Sequence, residues 1–346
     1  MSPVNDFEER AAQLLDEAVH GYFAGGAGDE ITLRDNVESW RRLVLAPRVL
    51  VGVEERDSSV TLLGRRRPHP FLVAPMAYQR SAHPDAEIGT ATAAAATGAT
   101  YVLSSQTTTD PREVARAMGD ADRWLQLYVF KDRAVTDDLV QAAREGGYEA
   151  LVITVDFPTG GRRERDERSR HVLEHPTYVQ LTQGPVTPAE RHAMHDPSLT
   201  WDDVAAIGEA SGLPLVLKGI LDPGDAERAV DAGVAGLIVS NHGGRQLDTV
   251  LSGADALGPV AEAVDGRIDV LVDGGIRRGW DAAKALALGA DAVLVGRPVL
   301  WGLVCEGTAG AQQVIQQLVD ELDNALALLG CPRAADLDAR FLTRRR

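Results

Sequence analysis

Several short apolar runs in this chain end in residues able to do chemistry, and the residue types change from one run to the next. In chain order these ends read Pro75-Met76-Ala77, Ser104-Ser105, Gln126 with Tyr128, Thr154 with Asp156, Lys218, Ser240-Asn241-His242, Asp273-Gly274-Gly275 and Gly296-Arg297. The last two continue as Asp273-Gly-Gly-Ile-Arg277 and Gly296-Arg-Pro298, each with glycine followed by arginine. Glycines let backbone amides approach a phosphate, while arginine and a helix N-terminus supply the matching positive charge. The alternative is that these glycines only permit tight turns. Lys218 closes the run Leu215-Val216-Leu217 and points either inward, as a fixed cation over a site, or out to solvent. Polar groups gathered at run ends, with Val, Leu and Ile inside the runs, favour an enzyme over a binding or structural module.

Bringing such ends to one rim requires a regular scaffold. Strands are predicted at 71–76, 100–105, 124–129, 151–156, 215–219, 236–240, 270–273 and 292–296. Most are continuously apolar, as parallel strands buried on both faces must be. Helices are predicted between them at 85–97, 111–118, 135–146, 202–211, 222–232, 254–264 and 279–288, several starting beside Asp or Pro and stopping at Gly. Eight strands alternating with helices specify an α/β fold, a single (β/α)8 TIM barrel with its catalytic groups at the C-terminal strand ends. A doubly wound open sheet is the alternative, although it does not usually need eight such units.

Residues 1–346 are read as one domain. Within it, 1–69 holds N-terminal helices (5–24) and a hairpin plugging the barrel floor (43–63), and 300–329 is a long amphipathic helix. The connection from strand four to strand five is far longer than one helix needs, and 157–200 is largely polar and without clean periodicity. A loop of that kind on the catalytic rim is expected to be a lid.

Composition narrows the function. Hydrophobic residues make up 45% and charged ones 25%, a globular balance. A net charge of -16 lacks the basic face that nucleic acid or an anionic membrane needs, and it repels acidic ligands. An acid-binding site therefore needs arginines of its own. Cys305 and Cys331 stand far apart and outside any Cys-x-x-Cys spacing, so neither a disulfide scaffold nor a cysteine-rich metal site is expected. A reducing cytoplasm suits this usage. The N-terminus has no basic segment followed by an apolar run, so no signal peptide is expected. No apolar stretch reaches the ~18 residues of a spanning helix. Arg344-Arg345-Arg346 is read as a solvated tail.

The stretch Val239-Ser-Asn-His242-Gly-Gly-Arg245-Gln-Leu-Asp248 resembles the active-site signature of the FMN-dependent 2-hydroxy acid oxidases and dehydrogenases, a family that includes glycolate oxidase, lactate oxidase and mandelate dehydrogenase. The likeness covers nearly the whole chain. It runs through Tyr22-Phe-Ala-Gly-Gly-Ala, Ala74-Pro75, Gln126-Leu-Tyr128, Thr154-Val-Asp156 followed by Gly161-Arg-Arg163, Lys218-Gly219, and the two Gly-Arg stretches already described.

The resemblance implies FMN as cofactor and a small (S)-2-hydroxy acid as substrate. His242 would be the catalytic base, an imidazole ordinarily titrating near ~6.5. Asp156 would pair with it and stabilise the imidazolium. Arg245 and Arg163 would clamp the substrate carboxylate, whose geometry the guanidinium fork matches. Tyr22 and Tyr128 would hydrogen-bond the carboxylate and the hydroxyl. Lys218 would sit at the flavin N1–C2=O edge, favouring the anionic reduced form. Ser104, Gln126, Thr154 and Ser240 would hold the ring or ribityl chain, with Arg277, Gly296 and Arg297 at the phosphate. Pro75, Met76, Ala77, Asp273, Gly274 and Gly275 would be further cofactor contacts. A homotetramer is also implied.

Two departures bear on the substrate. Glycolate oxidase-like members carry tryptophan just after Ser104-Ser105, where this chain has Gln106, which makes glycolate a doubtful substrate. The run Ala74-Pro-Met-Ala-Tyr-Gln-Arg-Ser-Ala-His-Pro84 resembles the hydroxymandelate oxidase branch, which favours a larger, aromatic acid. Few residues precede the first strand for a haem domain, and the stretch 162–170 is too charged to enter a membrane. Dioxygen is therefore the expected electron acceptor, giving hydrogen peroxide. A soluble dehydrogenase with another acceptor is the alternative, and a non-redox FMN isomerase a more distant one.

Overall fold

The computed structural model describes residues 3–165, 175–179 and 194–344. The chain opens with helices α1 (Pro3–Leu14), α2 (Glu17–Ala24) and α3 (Ile31–Arg42). Strand β1 (Leu43–Leu45) follows, then an antiparallel hairpin of β2 (Val60–Leu62) and β3 (Arg65–Arg67). The barrel strands are β4 (Phe71–Val73), β5 (Thr100–Ser104), β6 (Arg123–Leu127), β7 (Leu151–Thr154), β8 (Leu215–Ile220), β9 (Gly236–Val239), β10 (Asp269–Val272) and β11 (Ala292–Val295). Every neighbouring pair among them is parallel and the ring is closed, in the order β10-β11-β4-β5-β6-β7-β8-β9. The closed barrel predicted from the alternation is the observed fold.

Both faces of these strands are buried, which explains their unbroken apolar sequences. Leu72, Val102, Trp124, Val152, Val216, Ile238, Leu271 and Leu294 fill the interior, and the other set packs outward against helices. Those helices are α4 (Ala86–Thr97), α5 (Pro111–Met118), α6 (Arg133–Glu145), α7 (Trp201–Ser211), α8 (Pro223–Asp231), α9 (Gly253–Val264), α10 (Gly279–Ala287) and α11 (Arg297–Leu329). Asp-Pro starts two of them: Asp110 accepts from Arg112 N and Asp222 from Gly224 N, with Pro at the first helical position where no N–H is missed. α11 bends where Glu306 and Gly307 leave helical geometry.

The floor plug lies later in the chain than the sequence suggested. Residues 43–45 pair with β12 (Leu342–Arg344), so Arg344 belongs to a strand rather than to a solvated tail. The plug is the β2–β3 hairpin. Val60 and Leu62 join the barrel-interior cluster, Leu63 N donates to Asp269 Oδ2, and buried Arg67 pairs with Asp122 and Glu149. The first barrel strand stops at Val73, so Pro75, Met76 and Ala77 lie on the loop beyond it. α3 was not anticipated at all. Much of the expected lid, 157–200, lies outside the described residues.

Leu62 is fully buried at the barrel floor. Leu62→Ala should therefore lower unfolding free energy by about 2–5 kcal/mol, the usual cost of an unfilled core cavity. Urea denaturation followed by circular dichroism measures this, and a loss under about 1 kcal/mol would contradict the plug's role.

Candidate active site

The C-terminal strand ends surround a cleft that is partly open to solvent. All site residues expected from the sequence line it except Asp156 and Ser240, which stand just behind the lining. At its centre, His242 Nδ1 lies 3.0 Å from Asp156 Oδ1, and Nε2 lies 3.2 Å from Tyr128 Oη. The carboxylate can only accept, so Nδ1 carries the proton and the Tyr128 hydroxyl donates to the Nε2 lone pair. His242 holds a left-handed φ of 59°, a conformation that costs a non-glycine residue energy and has to be imposed by its surroundings. Its N–H donates to Ser240 Oγ at 3.0 Å. Asn241 pins the turn, accepting from Gly244 N and exchanging side-chain hydrogen bonds with Asn36 of α3 at 2.9 and 2.7 Å.

Burial pushes the His242 pKa down, and Lys218 and Arg245 push the same way. Asp156 pulls it back up, but the net displacement is downward. Burial alone would raise the Asp156 carboxyl; the charges of His242 and Lys218 outweigh it and hold the pKa below the ordinary value. Tyr128, half-buried, is held well above the usual phenol range by desolvation and by the Asp156 charge, and stays protonated. Gly219, at φ +114°, makes room for this pair: a Cβ there would lie 2.5 Å from the Asp156 Cβ.

A polar row crosses the barrel mouth beneath the dyad. Ser104 Oγ donates to Gln126 Oε1 at 3.2 Å, and Gln126 Nε2 donates to Thr154 Oγ1 at 2.8 Å. Lys218, aligned with Thr154 across β7 and β8, donates to Ser240 Oγ at 2.7 Å and meets Asp273 Oδ2 at 3.0 Å. The two orientations left open for Lys218 are thus resolved inward.

At the far end, Gly274, Gly275, Arg277, Gly296 and Arg297 border the cleft where α11 begins. Arg297 donates to the carbonyl oxygens of Phe23, Gly243 and Gly25. Burial, then repulsion from Arg245 and Arg277, pushes its pKa down to about 9. Arg277 is lowered by burial as well. Two half-buried guanidiniums beside a helix N-terminus are suited to an anion, and the glycines leave room for one. A Cβ on Gly275 would sit 1.8 Å from Asn36 O, so no other residue fits there. The dianionic phosphate of FMN matches this charge, and the polar row offers partners for ring and ribityl groups. Buried Asp273 Oδ1, which accepts no hydrogen bond among the described residues, lies at the cleft wall between the two ends.

The mouth carries Tyr22, Arg163 and Arg245. The Tyr22 ring lies 4.9 Å from the Arg245 guanidinium carbon and 5.7 Å from that of Arg163. Arg245 also donates to the carbonyls of Tyr22 and Gly25, at 2.6 and 3.0 Å, so it is fixed by backbone as well as facing the cleft. Among the lining residues not expected from the sequence as site residues are Tyr78, Phe157, His195 and Gln246. Gln106, noted there only as a departure, also lines the cleft; it accepts from Tyr78 Oη at 3.0 Å and approaches His195 Nε2 at 3.4 Å. The rings of Phe157 and His195 lie 4.9 and 4.8 Å from Tyr128. No signal in the sequence around 195 could have placed that histidine, because a long connection brings it back to the rim.

A (β/α)8 barrel whose rim joins a His–Asp pair to a polar cleft bordered at one end by glycines and arginines fits an FMN-dependent oxidoreductase. The chain belongs to the FMN-dependent dehydrogenase family, whose model matches residues 11–344. It is 45% identical to an L-lactate oxidase of Nostoc sp., over 99% of this chain and 98% of that one. It is 42% identical to the human protein 2-hydroxyacid oxidase 1, over 97% and 94%. Among solved structures, mandelate oxidase with (S)-4-hydroxymandelic acid superimposes with a TM-score of 0.94 at 40% identity, covering 99% and 98% of the two chains. No helix among the described residues is long and apolar enough to cross a membrane.

The lowered His242 pKa gives a direct check. In nitrogen-15 NMR titrations its imidazole should titrate below the ordinary value of ~6.5. Asp156→Asn removes the one charge that pulls it up, so the midpoint should fall further; a rise would contradict the assigned pairing.

Proposed function

We propose that this enzyme oxidises (S)-2-hydroxy acids to 2-oxo acids with dioxygen as the final acceptor. The observation that carries the reading is the placement of His242 Nε2, backed by Asp156, in one cleft with two arginines at its mouth and a phosphate cradle at its far end. Arg163 and Arg245 hold the substrate carboxylate, and Tyr22 adds a hydrogen bond. Anchoring by the carboxylate brings the α-carbon and its hydroxyl to Tyr128 and His242. His242 takes a proton on Nε2, and Asp156, ionised at neutral pH, stabilises the imidazolium that results. When bound, FMN supplies the two-electron acceptor, which dioxygen reoxidises with release of hydrogen peroxide. Lys218, inward-facing at the barrel mouth beside Asp273, would set a positive charge near the polar edge of the bound ring.

The wall formed by Met76, Tyr78, Gln106, Phe157 and His195 supports a bulky, aryl-bearing substrate side chain. Gln106, smaller than the tryptophan of glycolate oxidase-like enzymes, widens this side. The segment 157–200 serves as a lid, beginning close to Arg163. Two cysteines that remain thiols support a reducing compartment such as the cytoplasm. The exposed apolar tip Val49-Leu50-Val51 supports association into a homo-oligomer, by family resemblance a tetramer.

Anaerobic mixing of the FMN-loaded enzyme with a panel of 2-hydroxy acids tests this. Flavin absorbance should bleach, and admitting air should yield one peroxide per acid oxidised. Mandelate should exceed glycolate in kcat/KM by about 10-fold or more, the scale on which apolar pockets discriminate. No bleaching with any 2-hydroxy acid would overturn the activity; bleaching without reoxidation by air would assign a different acceptor.

A further inference from the structure

Gln246 follows the carboxylate anchor Arg245 and lies half-buried at the edge of the cleft. Its side-chain amide makes three hydrogen bonds, all to the backbone of one loop on another strand. Nε2 donates to Asp156 O at 2.8 Å and to Thr159 O at 2.9 Å, while Oε1 accepts from Gly161 N at 3.0 Å. A primary amide carries two N–H donors and a carbonyl, and each finds its complement here.

The stretch it binds opens the long connection after β7 and carries two functional groups. It starts at Asp156, the partner of His242, and reaches Arg163, the second carboxylate anchor. The two loops also touch backbone to backbone: a Cβ on Gly161 would lie 2.3 Å from Arg245 O and 2.5 Å from Gln246 O. A third contact, Gly28 N donating to Arg162 O at 3.1 Å, ties the same loop to the segment beneath Tyr22. One side chain thus sets the distance between the half of the site that carries His242 and Arg245 and the half that carries Asp156 and Arg163.

We infer that Gln246 is a positioning residue that clamps the Asp156–Arg163 loop to the His242–Arg245 loop, holding the acid–base pair and the carboxylate anchors in register. The inference rests on the proposed role of His242 as base. Without the clamp the Asp156 carboxylate is free to drift from Nδ1, and catalytic geometry is sensitive to shifts of about 1 Å, worth on the order of 10²-fold in rate. The groups facing His242 are Asp156, Tyr128, Lys218 and Arg245. Of the charged ones only Asp156 favours the imidazolium, so loosening it moves the acid limb of kcat/KM to lower pH. A residue that merely maintained the fold would lower the rate at every pH and leave that limb in place.

The test uses the FMN-loaded enzyme and two variants. Gln246→Met keeps the length of the side chain and removes all three hydrogen bonds. Gly161→Ala leaves Gln246 intact and forces the loops apart, and it carries the test if Gln246→Met does not fold. Both should lower kcat/KM for a 2-hydroxy acid by about 10–100-fold. Both should shift the acid limb to lower pH, as Asp156→Asn does, and speed hydrogen exchange across 156–163. A limb that stays in place in both variants, or unchanged exchange across that loop, overturns the clamp. A wild-type profile with no acid limb that Asp156→Asn shifts overturns the dyad beneath it, and the clamp's catalytic role with it.

Discussion

His242 Nδ1 and Asp156 Oδ1 meet at 3.0 Å across the mouth of the barrel, and the rest of the site is arranged to make that contact possible. A half-buried, desolvated imidazole beside a lysine and an arginine resists protonation. The carboxylate behind it offsets part of that resistance and fixes the tautomer, leaving the lone pair on Nε2. Asp156 in turn stays ionised because His242 and Lys218 outweigh its burial. Each member is therefore set by the other, and removing either leaves its partner without the contact that fixes its orientation.

Geometry carries a cost of its own. His242 sits in left-handed backbone with Gly243 and Gly244 continuing in the same region, at φ of 59°, 64° and 75°. Such a turn persists only when its surroundings over-determine it. α3 supplies much of that support. Asn36 pairs with Asn241, the backbone of Leu33 packs so closely on Gly244 that a Cβ there would sit 2.7 Å from Leu33 N, and Asp248 caps the first N–H groups of the helix. The same helix closes on the phosphate end, where Trp40 Nε1 donates to Gly274 O at 2.8 Å. His242 and the Gly274–Gly275 turn are thereby both referred to one helix outside the barrel.

The barrel was legible because both faces of each strand are buried, which leaves runs of Val, Leu and Ile that no exposed strand would show. The rim was legible because Lys218, His242, Asp156 and Asp273 cluster with other polar residues at the C-terminal ends of those runs. Helix α3 escaped notice: its sequence, ITLRDNVESWRR, is mostly polar, and its value lies in Asn36 and Trp40 reaching loops far away in sequence. The floor hairpin was placed too early because the apolar residues at 43–45 pair with the end of the chain instead. His195 and Tyr78 were missed for a related reason. His195 joins the cleft wall through long-range packing and stands at the end of no apolar run, while Tyr78 lies one residue beyond the Pro75-Met76-Ala77 run end.

If one group is to be removed, it is His242. In anaerobic stopped-flow, His242→Ala loaded with FMN should bind the cofactor as the wild type does, since the phosphate cradle and polar row are untouched. Its flavin should be reduced by a 2-hydroxy acid about 10²–10⁴-fold more slowly, the usual contribution of a positioned acid–base group. Reduction at a near wild-type rate with FMN fully bound would show that another group takes the proton, and would contradict the account of the His242–Asp156 pair.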